Sequence, residues 1–186
     1  MPRLSEEDRK SFGRFSKDCD VIVTFNDTLT DAMCTKLPEV MRRGNITTVS
    51  ALIERKGDIV ASRDSLSALS KAIVTARQTA DAARAKVNHP DGLKLVYDKA
   101  YAKLVTQPAE AVGGMLPGVE QALIKSIAFA EFLGANRAKF QFNGPMAETA
   151  DAKLLAQFNV HVEGMPAAAV GVNDAQRKMR ALIQGG

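Results

Sequence analysis

Between Leu66 and Val87, apolar residues fall at Leu66, Leu69, Ile73, Ala76, Ala80, Ala83 and Val87, in alternating steps of three and four. That period is the seam of a helix packed lengthwise on another helix. The seam tapers, with large side chains up to Ile73 and alanines from Ala76 to Ala83, so a partner backbone must come close at the narrow end. It closes on His89-Pro90-Asp91-Gly92, where Pro90 fixes φ and Gly92 frees it, as a tight turn needs. A tapered seam ending in a turn predicts a helical hairpin within one chain rather than a coiled coil between chains.

The first arm is predicted from near Asp64 to near Val87, with Gly57 interrupting the pattern upstream. The second runs from Leu93 to about Gln107, with Leu93, Val96, Ala100 and Leu104 as its inner stripe, Tyr97 and Tyr101 on the flanks, and Pro108 as its stop. The short turn makes the arms antiparallel neighbours. A link rich in helix breakers, residues 111–118, leads to Val119–Leu133, which is apolar nearly all round (Ile124, Ile127, Phe129, Phe132, Leu133). A helix without a polar face is a central one.

The flanking segments read as shorter pieces. Asp20–Phe25 is β-branched and short, and reads as a strand or a buried extended link. Thr28 or Thr30 would cap a short helix running toward Pro38, Glu39–Arg43 a second closed by Gly44, and Thr47 or Thr48 a third through Leu52 and Ile53. Beyond the central helix, residues 139–142 and 159–163 alternate, predicting two strands of a small side sheet around a helix over 148–158. Residues 165–171 read as a loop, and Asn173 with Gln176 as the capping box of a last helix to Ile183. The expected fold is mainly α. It is a single-domain helical bundle built on the antiparallel pair 64–88 and 92–107 plus the central helix, with a small β element in the C-terminal third. One domain spans 1–186: short helices and one strand over 1–63, the helical core over 64–134, and a β/α tail with a basic terminal helix over 135–186.

Composition sharpens this picture without changing it. The chain is 46% hydrophobic and 25% charged, an ordinary globular balance. Trp is absent and eight Phe stand beside two Tyr, so the core is aliphatic with Phe as its large filler. A formal charge of +4 permits nucleic acid as a partner but does not demand it. Cys19 and Cys34 form no disulfide framework and read as buried apolar fillers. The opening residues carry no apolar run of signal-peptide type, and Glu120, Lys125 and Glu131 interrupt the central helix too often for a membrane span. The expected location is the cytoplasm, or a virion if the chain is viral.

Chemistry-bearing patterns are sparse. Residues 112–118 lack the ending of a phosphate loop, and no nucleophile elbow occurs. Cys19, Cys34, His89 and His161 match no metal-ligand spacing, so neither a metal nor a cofactor is expected. His161 and Glu163 would share one face of a strand as base and orienting carboxylate, or simply form the polar face of an edge strand. His89 is expected exposed in its turn. Glu131 is either a buried acid or a partner for a lysine. Arg42 and Arg43 lie at a helix C-terminus, where cations are favoured. Arg177, Lys178 and Arg180 form the cleanest basic cluster. These features favour a non-enzymatic structural or assembly protein, a subunit of a larger complex such as a virion or filament, associating with itself or with other subunits through helical surfaces. A second reading is a nucleic-acid-associated protein gripping phosphates with Arg42, Arg43, Arg177, Lys178 and Arg180. A third is an enzyme using His161, Glu163 or Glu131.

Overall fold

The computed structural model describes residues 14–46, 48–143 and 146–183. In chain order it holds α1 (Arg14–Asp31), a π-helical turn (Ala32–Lys36), α2 (Leu37–Gly44), α3 (Val49–Glu54), α4 (Lys56–Arg84), α5 (Asp91–Tyr101), a second π-helical turn (Ala102–Thr106), α6 (Gln107–Gly113), α7 (Leu116–Ala135), a 3-10 turn (Arg137–Lys139), β1 (Gln141–Asn143), β2 (Met146–Glu148) and α8 (Ala152–Ile183). The fold is mainly α with a small two-stranded sheet. Among the described residues, no helix is long and apolar enough to cross a membrane. The chain divides into two compact units, Met1–Lys36 with Leu69–Gly113, and Leu37–Ala68 with Gly114–Gly186.

In the first unit the predicted antiparallel pair is present. Arg84 bonds Asp98, Asp81 bonds Tyr101, and Arg77 bonds the carbonyl of Thr106, so numbers falling along α4 rise along α5 and the turn after it. The core joins Ile22 and Phe25 of α1, Ala80 of α4, and Tyr97, Tyr101 and Val105, with Ala76 and Val87 packed at its edge. The segment 20–25 is helical, not a strand. Its β-branched residues favour strands only weakly, and Ile22, Phe25 and Leu29 stand three and four apart so that one helical face meets the core. The inner face of α5 is also corrected. Tyr97 and Tyr101 are buried, whereas Leu93 and Val96 are exposed. A tyrosine ring buries more surface than a leucine and brings a hydroxyl that needs a partner. That partner is Asp81 for Tyr101, at 2.7 Å, and the Asp18 carbonyl for Tyr97, at 3.4 Å.

Pro108 does not stop the helix, nor does a separate helix run into Pro38. Both prolines stand two residues beyond a π-helical turn. Proline has no N–H for the carbonyl four residues back, and its ring collides with that carbonyl in an α-helix. Widening the preceding turn by one residue moves the carbonyl aside, and the helix continues. Cys34 lies in the first of these turns and is exposed, and Cys19 is half-buried, so neither is the core filler expected.

In the second unit α7 is the apolar helix foreseen over 119–133, buried through Leu116, Val119, Leu123, Ile127, Phe129, Ala130 and Leu133. It pairs antiparallel with α8: Gly118 meets Gly171, Lys125 donates to the Gly164 carbonyl at 3.3 Å, and Phe129 meets Phe158. The sheet is a local hairpin, with Phe142 opposite Ala147. The segment 159–163 takes no part, because it lies within α8, as do the predicted loop 165–171 and the predicted capping box at Asn173. A five-residue alternation is too short to outweigh the longer helical pattern of Leu154, Phe158, His161, Met165, Val172 and Ala175, whose steps are again three, four or seven.

Candidate functional site

A well-formed concavity lies within the second unit. Its floor comes from residues the fold had to bury. On α7, Val119 and Leu123 face inward, and Leu52 of α3 and Val40 of α2 close against them. Two local devices set this geometry. Thr48 caps α3 by accepting from the Ala51 N–H at 3.3 Å. Gly44 ends α2 against α7, where a Cβ would stand 2.8 Å from Leu123 Cδ2, so a larger residue there would push the Leu123 side chain aside. Beside that contact the Ser62 hydroxyl is buried with no hydrogen-bond partner among the described residues. α8 supplies the remaining wall through Met165, Val172, Asn173, Gln176 and Arg180. The cleft encloses about 770 Å³, and its lining is predominantly apolar.

Ion pairs form on the helices that line it. Glu39 in the first turn of α2 accepts from both Arg42, at 2.8 and 2.9 Å, and Arg43, at 2.7 Å. The hydrogen bond from Arg42, joined by that from Arg43, holds the Glu39 carboxyl down at about 2. Arg55 donates to the Arg43 carbonyl at 3.2 Å, so three cations attend the C-terminal end of α2. On α8, Arg177 is engaged by Asp174 at 2.9 Å.

A family model described as "Protein of unknown function (DUF3053)" matches residues 1–180. The chain belongs to the DUF3053 family. The uncharacterized protein YiaF of Escherichia coli strain K12 is 23% identical to it over 176 residues, covering 94% of this chain and 75% of YiaF. YiaF of Shigella flexneri aligns with the same identity and coverage. No solved structure gives a significant match.

In this DUF3053 chain the five basic residues singled out from sequence all fall in the second unit. Arg42 and Arg180 line this cleft, whereas Arg43, Arg177 and Lys178 are exposed outside its lining. Arg42, Arg43 and Arg177 already hold acids, leaving Lys178 and Arg180 with no acidic partner among the described residues. Of the helical seam, Leu66, Leu69, Ile73 and Ala80 are buried, and Ala76, Ala83 and Val87 half-buried. Ala76, Ala80 and Val87 meet residues of the same chain. The seam starts earlier than the sequence pattern suggested, since α4 begins at Lys56 and buries Ile59 and Ser62 in the same three-and-four rhythm.

The histidines are placed differently from expectation. His161 sits on α8, where Glu163 lies about 200° around the helix and cannot share its face. Its ring stacks on Phe129 with centroids 5.3 Å apart and meets Phe132 at 4.9 Å. The His89 side chain is only 8% exposed, with Nε2 3.2 Å from Asp18 and its ring edge-on to Tyr97. Glu131 is exposed and pairs with Lys56 at 3.1 Å, the second of its two expected roles. Among the described residues, no group of three or more His, Cys, Asp or Glu is placed to hold a metal. Sequence reasoning missed the cleft because its α8 wall was split into strand, loop and cap. The uninterrupted rhythm from Leu154 to Ala175 is the signal that joins them.

Proposed function

We propose that this chain works without catalysis, as a subunit that associates with other protein surfaces through its helices. The observation that carries this reading is a row of exposed aliphatic side chains along α8. Leu155, Val162 and Val170 are 41%, 43% and 60% exposed and fall on one side of the helix, away from the face that meets α7. Single exposed leucines and valines need no explanation. A row repeating every seven or eight residues over roughly 22 Å is the pattern by which one helix docks on another. The described histidines also support a non-catalytic role, His161 through its aromatic stack and His89 through its pairing with Asp18.

Size-exclusion chromatography with light scattering tests the reading on the full chain. The expected result is a discrete assembly, or a complex with other proteins on mild purification, that shifts to lower mass when Leu155 and Val162 are both replaced by Glu. A chain that stays monomeric at high concentration and enters no complex removes the reading. With no Trp and two Tyr the protein absorbs ultraviolet light weakly, so nucleic acid retained in the particle would be conspicuous. Its presence would favour the second role, phosphate contact by the basic residues of this unit.

A further inference from the structure

The cleft of the second unit combines two properties that point to one chemical class of ligand. Its floor is apolar and buried, formed by Val119, Leu123 and Leu52, and Met165 and Val172 continue the apolar lining along α8. Its volume of about 770 Å³ lies in the range of small-molecule sites. At its edge stands Arg180, exposed and without an acidic partner among the described residues, close in sequence to the amide side chains of Asn173 and Gln176 that share the lining. Arg42 also lines the cleft, but its guanidinium is already doubly bonded to Glu39. Among the described residues, the site therefore offers one guanidinium without an acidic partner beside a predominantly apolar hollow. We propose that it binds a single-chain anionic amphiphile, a fatty carboxylate, with the hydrocarbon chain along the floor and the carboxylate on Arg180.

Charge and shape each narrow the choice. An uncharged apolar ligand would leave Arg180, Asn173 and Gln176 without use. A small anion would leave the floor empty, and each methylene transferred to it should raise affinity about fourfold. A guanidinium meets a carboxylate through two parallel hydrogen bonds, which fixes the head while the chain adapts. Met165 suits a wall that must fit chains of differing shape, because its side chain is unbranched and polarizable.

Isothermal titration calorimetry on the full chain, below the critical micelle concentration, tests the proposal with a saturated carboxylate series from octanoate to tetradecanoate. The expected result is one site per chain, with affinity rising severalfold per added methylene until the cleft is filled. Arg180→Gln should weaken carboxylate binding about three- to tenfold and leave binding of the uncharged alcohol of equal length unchanged. Lys178→Gln, an exposed neighbour outside the lining, should change neither. Met165→Trp, filling the hollow, should abolish both while thermal unfolding reports an intact fold. The proposal is overturned by absence of saturable binding across the series, by affinity independent of chain length, by equal loss in the Lys178 and Arg180 variants, or by a cationic amphiphile of equal length binding as tightly.

Discussion

Tyr97 and Tyr101 are the only tyrosines, and both lie on the buried face of α5. Tyr101 is 0% exposed, donates to Asp81, and has the Arg84 guanidinium 4.7 Å above its ring. Burial and then the bond to Asp81 push its phenol far above the ordinary range, and burial also raises Tyr97. Burial alone would raise Asp81, but the hydrogen bonds from Arg77 and Tyr101 overcome it and lower its carboxyl. A phenol whose pKa is raised by folding contributes stability that is complete below its unfolded value near 10 and is lost as pH climbs beyond it. Tyrosinate absorbance should therefore stay flat well past pH 10 and rise together with loss of helical circular dichroism. A Tyr101→Phe variant should cost about 1–2 kcal/mol at neutral pH, since it removes the hydrogen bond to the Asp81 carboxylate, and should shed part of the alkaline transition. Normal titration of both phenols in the folded chain would show them exposed. In the sequence these rings read as flanks of a stripe of aliphatic residues. Periodicity places Tyr97 and Tyr101 one turn apart without saying which face is inward, and the decision fell to the hydroxyl partners.

Element-scale geometry turns on the crossing of α7 and α8. Gly118 and Gly171 are each other's close neighbours: a Cβ on Gly118 would lie 3.1 Å from the Gly171 carbonyl oxygen, and one on Gly171 would lie 3.2 Å from Gly118 Cα. The obstacle is backbone on both sides, which gives way less easily than a side-chain tip. Replacing either glycine by Val should destabilise the chain by about 1–3 kcal/mol. Gly134→Ala serves as the contrast, because nothing lies within 4 Å of its would-be Cβ and the site is helical, so it should add about 0.5–1 kcal/mol. Chemical denaturation of the three variants checks the order, and equal effects would mean the helices do not approach there. The same crossing explains what was and was not legible. α7 could be read directly, because a helix apolar on every side has one plausible place. The hairpin arms could be read as well, because their rhythm and turn agreed. The unity of α8 was hidden by Gly164, Pro166 and Gly171, residues that usually end helices. Gly171 is there for close approach rather than for a turn. The two π-helical turns leave no mark of their own in the sequence beyond the proline that follows each of them. The cleft inherited the fate of α8, so Arg42 and Arg180 could be nominated but not brought together.

Neither compact unit is a continuous stretch of chain. The first needs residues 1–36 and 69–113, and the second needs 37–68 and 114–186. A chain cut after Gly113 keeps every segment of the first unit, and its tyrosines should remain shielded in an alkaline titration. The complementary piece, 114–186, keeps α7 and α8 but lacks α2, α3 and the start of α4. It should show weak helical circular dichroism and no cooperative melting. A fully helical, cooperatively melting 114–186 would mean that the helix pair needs no support from 37–68. The interleaving also bears on how the molecule is made. On the ribosome, residues 37–68 emerge well before their partners, and the apolar faces of Val40 and Leu52 lack the α7 surface they pack on until residues 116–135 are synthesised. At about 5–20 residues per second that delay lasts several seconds. Throughout it the nascent chain presents buried-type surface to the cell, which makes it a natural client for a holding chaperone.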